Sequence, residues 1–172
     1  GELLDLVDEC FVEEVEGTWT PVREWRKSSF SIDTGSNNVM MTPIVASITD
    51  DNGDGLIDDD DTPDILFVTF GSYGTLRAVS GDGGTEILNI TGEQLQGQGA
   101  LAAGDIDGDG IVEIIAMTSS GVKAFEHDGT LKWQTSTIAA IYGTSDAPSI
   151  ADMDGDGTPE IIVGKAILSN TG

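Results

Sequence analysis

Positive charge is scarce in this chain. Its 172 residues hold 7 Lys plus Arg against 31 Asp plus Glu, a formal net charge of −24 at pH 7. So few cations cannot neutralise a phosphate backbone, which excludes nucleic-acid binding, and an anionic membrane surface repels the chain for the same reason. Long apolar runs are also lacking. None approaches the ~20 residues of a membrane-spanning helix, so no membrane insertion is expected. Cys10 is the one cysteine, which rules out an internal disulfide and a thiolate metal site. His127 is the one histidine, and beside a turn sequence it reads as a solvated surface residue rather than an acid-base catalyst. Neither a Ser-His-Asp set nor an activated cysteine can be assembled. The chain is not expected to be an enzyme.

Glycine, in contrast, is frequent, at 23 residues, and it marks a repeat. Three segments share one pattern of apolar strand, Asp/Gly loop and second apolar strand: Pro43 to Phe70, Leu101 to Ser120 and Pro148 to Gly164. The leading loop aspartate recurs from Asp105 to Asp152, a step of 47, and from Asp50 to Asp105, a step of 55. The excess lies mainly in the acidic insert Asp58-Asp59-Asp60-Asp61. After each strand pair comes a further pair around a turn, at Asp82-Gly83 and at Asp128-Gly129. The apolar runs are short, β-branched and bounded by turn residues, which predicts strands and not helices. Each repeat then reads as four short antiparallel strands, a to d, the size of a propeller blade.

The expected fold is therefore all-β: three four-stranded antiparallel propeller-type blades, with cation-binding loops between strands a and b. The repeats are placed at 43–99, 100–146 and 147–172, the last lacking strand d. Ahead of them, residues 18–42 hold a strand segment and linker. Trp25-Arg26-Lys27-Ser28 resembles Trp133-Gln134-Thr135-Ser136 of strand d, so the N-terminal segment is expected to complete the third blade, from another copy or within a larger propeller. Residues 1–17 alternate apolar and acidic positions at helical spacing and read as an acidic arm or amphipathic helix. A frayed terminus fits as well. Trp19, Trp25, Trp133, Tyr73 and Tyr142 are expected to pack between blades, with a sugar-stacking surface as the other reading.

The loops carry the chemistry. In the second, Asp105, Asp107 and Asp109 alternate and Glu113 follows; in the third, Asp152, Asp154, Asp156 and Glu160 hold the same places. Carboxylates at positions 1, 3 and 5 of a tight loop repel unless a cation sits among them. A hard cation wanting six to eight oxygens fits, with the carbonyls of Ile111 and Thr158 at position 7 and the glutamates at position 9. In the first loop, Asp50, Asn52, Asp54, the Leu56 carbonyl, Asp58 and Asp61 follow the spacing of a twelve-residue calcium loop. Asp64 aligns with Glu113 and Glu160 and is the rival of Asp61 for the last ligand. About three Ca²⁺ sites are expected, which would bring the net charge from −24 to about −18. Calcium is preferred to magnesium because the ligands are many and no substrate phosphate is implied.

Asp105-Ile-Asp-Gly-Asp-Gly-Ile-Val-Glu113, Asp152-Met-Asp-Gly-Asp-Gly-Thr-Pro-Glu160 and Phe70-Gly71 resemble the FG-GAP/VCBS-type calcium-binding β-propeller repeats, like those of integrin α-subunit heads and many bacterial surface proteins. The resemblance covers about residues 19–172. Ser120-Gly121 and Val163-Gly164 depart from the Phe-Gly pair, and three repeats are fewer than the ~4–8 blades of a closed propeller. The resemblance implies calcium between strands a and b, an extracellular or cell-surface setting, and a role in adhesion or ligand recognition. Two functions follow as expectations. The first is a calcium-stabilised structural protein that self-associates head to tail into a filament through its N-terminal segment. The second is a piece of a larger closed propeller whose surface binds a protein or glycan.

Overall fold

The computed structural model describes residues 20–71, 74–135, 138 and 146–172. These residues are all-β, with no helix among them. The arm expected at 1–17, and Trp19, Tyr73 and Tyr142, lie outside the described residues.

Among the described residues, twelve strands form three antiparallel sheets in chain order. Sheet I holds β1 (Asn38–Val39), β2 (Ile44–Ala46), β3 (Asp64–Phe70), β4 (Gly74–Ser80) and β5 (Glu86–Leu95). Sheet II is the meander β6 (Leu101–Gly104), β7 (Glu113–Met117), β8 (Val122–Phe125) and β9 (Leu131–Gln134). Sheet III has β10 (Ser149–Ala151), β11 (Glu160–Val163) and β12 (Ala166–Leu168). Sheet I has five strands because its strand a is split. β1 pairs with Phe70 and Thr69 and β2 with Leu66 to Asp64, so Met40–Pro43 bulges opposite Phe67 and Val68. Pro43 offers no N–H to the ladder, and the Val68 amide instead donates to Met41 Sδ at 3.1 Å.

Alternation along the strands stacks the sheets. Successive side chains point to opposite faces of a strand, and β7 is buried at all five positions. Ile114 and Ala116 pack with Leu66, Val68, Leu76 and Ala78 of sheet I, while Ile115 and Met117 pack with Ile161 and Val163 of sheet III. Sheet II is thus the middle layer, which is why its central strand reads as an unbroken apolar run. The Asp82-Gly83 and Asp128-Gly129 pairs make hairpin turns. Gly84 donates to the Ser80 carbonyl and Gly129 to the Glu126 carbonyl, each at 2.9 Å.

The N-terminal segment departs from the expected strand. Residues 20–37 contain no strand, and in this chain they pack on sheet I rather than pairing with β12. Phe30 enters the core against Phe67, with ring centroids 6.0 Å apart. The fully buried Arg77 stacks its guanidinium 4.0 Å over the Phe30 ring and donates to the carbonyls of Asp33 and Ser36 at 3.1 and 2.9 Å. Its remaining bonds go to Thr69 Oγ1 and Asn89 Oδ1. Glu86 adds a second tie, accepting from the Ser31 amide and hydroxyl and pairing with Lys27 at 3.0 Å.

Candidate metal centres

Each a–b hairpin is built by the same local bonds. The Asp105 carboxylate accepts from the amides of Gly108 and Gly110 at 2.6 and 2.9 Å. Asp152 accepts from Gly155 and Gly157 at 2.7 and 2.9 Å, and Asp50 from Gly53 and Gly55 at 2.7 and 2.9 Å. The backbone must turn left-handed twice to present those amides, with φ of 84° and 90° at Gly108 and Gly110 and 78° and 89° at Gly155 and Gly157. Only glycine adopts such angles readily. The fifth position closes the turn. Asp109 accepts from the Ile111 amide, Asp156 from Thr158 and Asp54 from Leu56, at 2.8, 2.7 and 2.9 Å. The residues expected to offer carbonyls are thereby fixed by the aspartates before them.

Strand b supplies the converging acid. Glu113 is 1% exposed, and its Oε2 accepts from the Ile106 amide at 2.8 Å. Glu160 Oε2 accepts from Met153 at 2.8 Å. Carboxylate oxygens of Asp105, Asp107 and Glu113 all lie within 4.8 Å of one another, as do those of Asp152, Asp154 and Glu160. Asp109 and Asp156 brace the loops from outside those triplets.

Loop one follows a different path. In loops two and three, the amide bonded by the strand-b acid belongs to the residue just after the leading aspartate. In loop one, Asp64 Oδ2 accepts from Ile48 at 3.1 Å and from the Thr49 hydroxyl at 3.0 Å, so that partner precedes Asp50. The Asp50 turn is displaced outward by three residues, and no triplet of acids converges there among the described residues. Asp61 accepts from the loop's own amides, those of Asp51, Asn52 and Asp58, at 3.0, 3.2 and 3.0 Å. The Asp58 amide is the main cause that lowers its pKa. Asp58 itself accepts from Asp60 at 2.9 Å, and Asn52 from Asp54 at 2.9 Å. Asp64 is fully buried, and its Oδ1 has no hydrogen-bond partner among the described residues. Burial raises the Asp64 pKa, as it does that of Glu113.

One residue of the second centre escaped the sequence reading. Lys132 of β9 places Nζ 2.6 Å from Asp107, 2.9 Å from Glu126 and 3.3 Å from Glu113. These carboxylates hold its pKa well above the usual lysine value, the Asp107 bond being the largest cause. A lone lysine in strand d gave no signal, because only the stacking of β9 beside the loop makes it a neighbour. No Lys or Arg makes an ion pair with loop three among the described residues.

The donors suit a hard divalent cation. They are carboxylate oxygens already oriented by amides, a cationic ammonium of the chain lies against the second cluster, and beside loop one the buried Asp64 Oδ1 has no donor among the described residues. Asp105, Asp107 and Glu113 would hold one calcium ion and Asp152, Asp154 and Glu160 another, and each ion would offset repulsion that the loop otherwise stores.

Residues 105–163, which carry both clusters, match the family described as FG-GAP-like repeat. Among solved structures, the chain is similar to the biofilm matrix protein Bap1 of V. cholerae, with a TM-score of 0.72 and 34% sequence identity. The match covers 83% of this chain and 25% of that one, so the chain spans about a quarter of its relative's length. No curated protein matches the sequence.

Proposed function

We propose that the chain is a calcium-stabilised structural module that works outside the cell, in a matrix or at the cell surface, and associates with further copies of itself. The carrying observation is the pair of acid triplets, one on each a–b hairpin of the matched repeat region. Millimolar external calcium suits loops of this kind better than the submicromolar cytosol does. The likeness to a biofilm matrix protein supports the setting. Catalysis has no part in this reading.

A second reading rests on the same likeness. A chain that matches a quarter of a longer protein fits a piece of a larger closed propeller whose outer surface adheres to protein or glycan. A gene continuing with further repeats beyond Gly172 would favour it.

Isothermal titration with CaCl₂ tests the proposal, with thermal melting alongside. At a hundred times Kd, each ion stabilises the fold by about 2.7 kcal/mol. Glu113→Gln and Glu160→Gln are each expected to remove one binding event and its share of the rise in Tm. No binding heat and an unchanged Tm in the unaltered chain would sink it.

A further inference from the structure

The same contact occurs three times, twice between successive sheets. From sheet II, Trp133 of β9 reaches over the turn after β12, where its Nε1 donates to the Asn170 carbonyl at 2.8 Å. A Cβ on Gly172 would lie 2.9 Å from that ring. From sheet I, Ile90 of β5 covers the turn after β8, and a Cβ on Gly129 would lie 2.8 Å from it. The turn after β4 in sheet I is covered in the same way by Trp25. Its Nε1 donates to the Gly81 carbonyl at 3.3 Å, and a Cβ on Gly84 would lie 3.0 Å from the ring. In the first two cases the covering side chain sits on strand d of the preceding sheet. Trp25 takes that place without belonging to any sheet among the described residues.

Sheet III presents the complementary surface. β12 pairs with β11 and with no second strand among the described residues, and a strand edge of this kind can take a further strand. The face that would meet a following sheet carries the cross-strand pair Ile162 and Ile167, the latter 59% exposed. The corresponding residues of sheet II, Ile115 and Ala124, are fully buried against sheet III. The opposite end of the molecule offers a matching surface, a cleft of about 210 Å³ lined by Trp25, Phe30, Val39, Ile65, Phe67 and Val79. Charge agrees. Arg23, Arg26 and Lys27 are three of the seven cations of a chain with net charge −24, so this segment is drawn to another copy.

We infer that residues 23–26 of one copy add to β12 of a second copy as its fourth strand, with Trp25 opposite Ile167 and Arg26 opposite Ala166. The register follows from sheet II, where Trp133 faces Ala124 and Gln134 faces Lys123. Trp25 takes the place of Trp133, and Ile167 that of Ala124. Ile162 and Ile167 of the receiving copy then close over the apolar cleft of the donor. Backbone pairing supplies affinity and the Trp25 and isoleucine contacts supply register. Because donor and acceptor surfaces differ, the contact is heterologous and adds units head to tail. This assignment rests on the reading of the chain as a self-associating structural module.

Two single-cysteine proteins test it, Arg26→Cys and Ala166→Cys, each with Cys10→Ser. Position 26 is exposed and position 166 half-buried, and circular dichroism checks that both variants fold. Mixed in calcium under mild oxidation, they should give a disulfide-linked dimer holding one of each. A protein carrying both cysteines should give a ladder that dithiothreitol collapses, and moving the first cysteine to Lys27, on the other face, should cut the yield at least tenfold. No mixed dimer, or a yield unaffected by that shift, overturns the inference. So does a double-cysteine protein that closes only on itself, which would make its own N-terminal segment the occupant. Calcium titration of the same samples separates the two ideas: binding without cross-linking sinks the pairing alone, whereas absent binding sinks the functional reading.

Discussion

Lys132 and Glu86 each tie distant parts of the chain together through charge. The Lys132 ammonium is the one basic group against the acids of loop two among the described residues. Its replacement by Met leaves Asp107, the buried Glu113 and Glu126 without a counter-charge, and breaking such a partly buried set costs about 2 kcal/mol. Lys132→Met should therefore lower Tm in EDTA, and the gap should narrow in millimolar calcium, as thermal melts in the two buffers would show. Glu86 acts at the other end of the molecule. Its bonds from Ser31, above all, and from Lys27 lower its pKa to about 2, against roughly 4.3 in an unfolded chain. A depressed carboxylate stabilises the fold fully above the unfolded value and loses that contribution as pH falls through the folded one. The attachment of residues 27–31 should therefore weaken between about pH 4.5 and pH 2. Tryptophan fluorescence followed through that range should shift in the parent chain, and Glu86→Gln should flatten the response. The side-chain pattern did not reveal these pairs, because their members lie on different elements.

At the scale of elements, β7 and the glycine turns are the most constrained. Ile114 and Ile115 are adjacent and fully buried, yet they serve different interfaces. Either change to Ala should cost about 2–5 kcal/mol in denaturant unfolding, Ile114→Ala loosening sheet I from II and Ile115→Ala loosening sheet II from III. Hydrogen exchange in β4 or in β11, respectively, would report which contact was lost. Gly110 and Gly157 hold φ of 90° and 89° with open space around the added Cβ. Gly110→Ala or Gly157→Ala should thus cost only the backbone strain, about 1–2 kcal/mol. The turns and strands were legible because they are local: Asp-Gly spacing, β-branched runs and the recurring strand-b acid state them directly. Loop one was less so. Its longer approach from Pro43 is visible in the sequence, but its result, Asp50 displaced from Asp64, depends on which amide the buried carboxylate captures.

For the whole molecule, net charge sets the conditions of stability. A compact body at −24 repels itself, and about half of its 31 acids lie in the three loops and at the strand-b positions that face them. Sodium chloride screens that repulsion over a Debye length of about 10 Å at 0.1 M but cannot satisfy the converging oxygens of Glu113 or Glu160. In EDTA, raising NaCl should therefore lift Tm modestly. Calcium at a small fraction of that ionic strength should lift it much further. Equal effects at equal ionic strength would show that the loops respond to screening alone.

The sequence by itself determined the all-β character, the repeat, the two acid loops at Asp105 to Glu113 and Asp152 to Glu160, and the kinship of Trp25 with Trp133. All of these rest on spacing along the chain, which periodic backbone geometry translates directly into position. Only the tertiary structure decided that residues 20–37 lie on sheet I, that Arg77 and Glu86 hold them there, that Lys132 meets the second acid cluster, and that one oxygen of the buried Asp64, Oδ1, has no hydrogen-bond partner among the described residues. Those outcomes come from stacking one sheet on the next. A stacking contact brings together residues tens of positions apart, and no local pattern records which of them will touch.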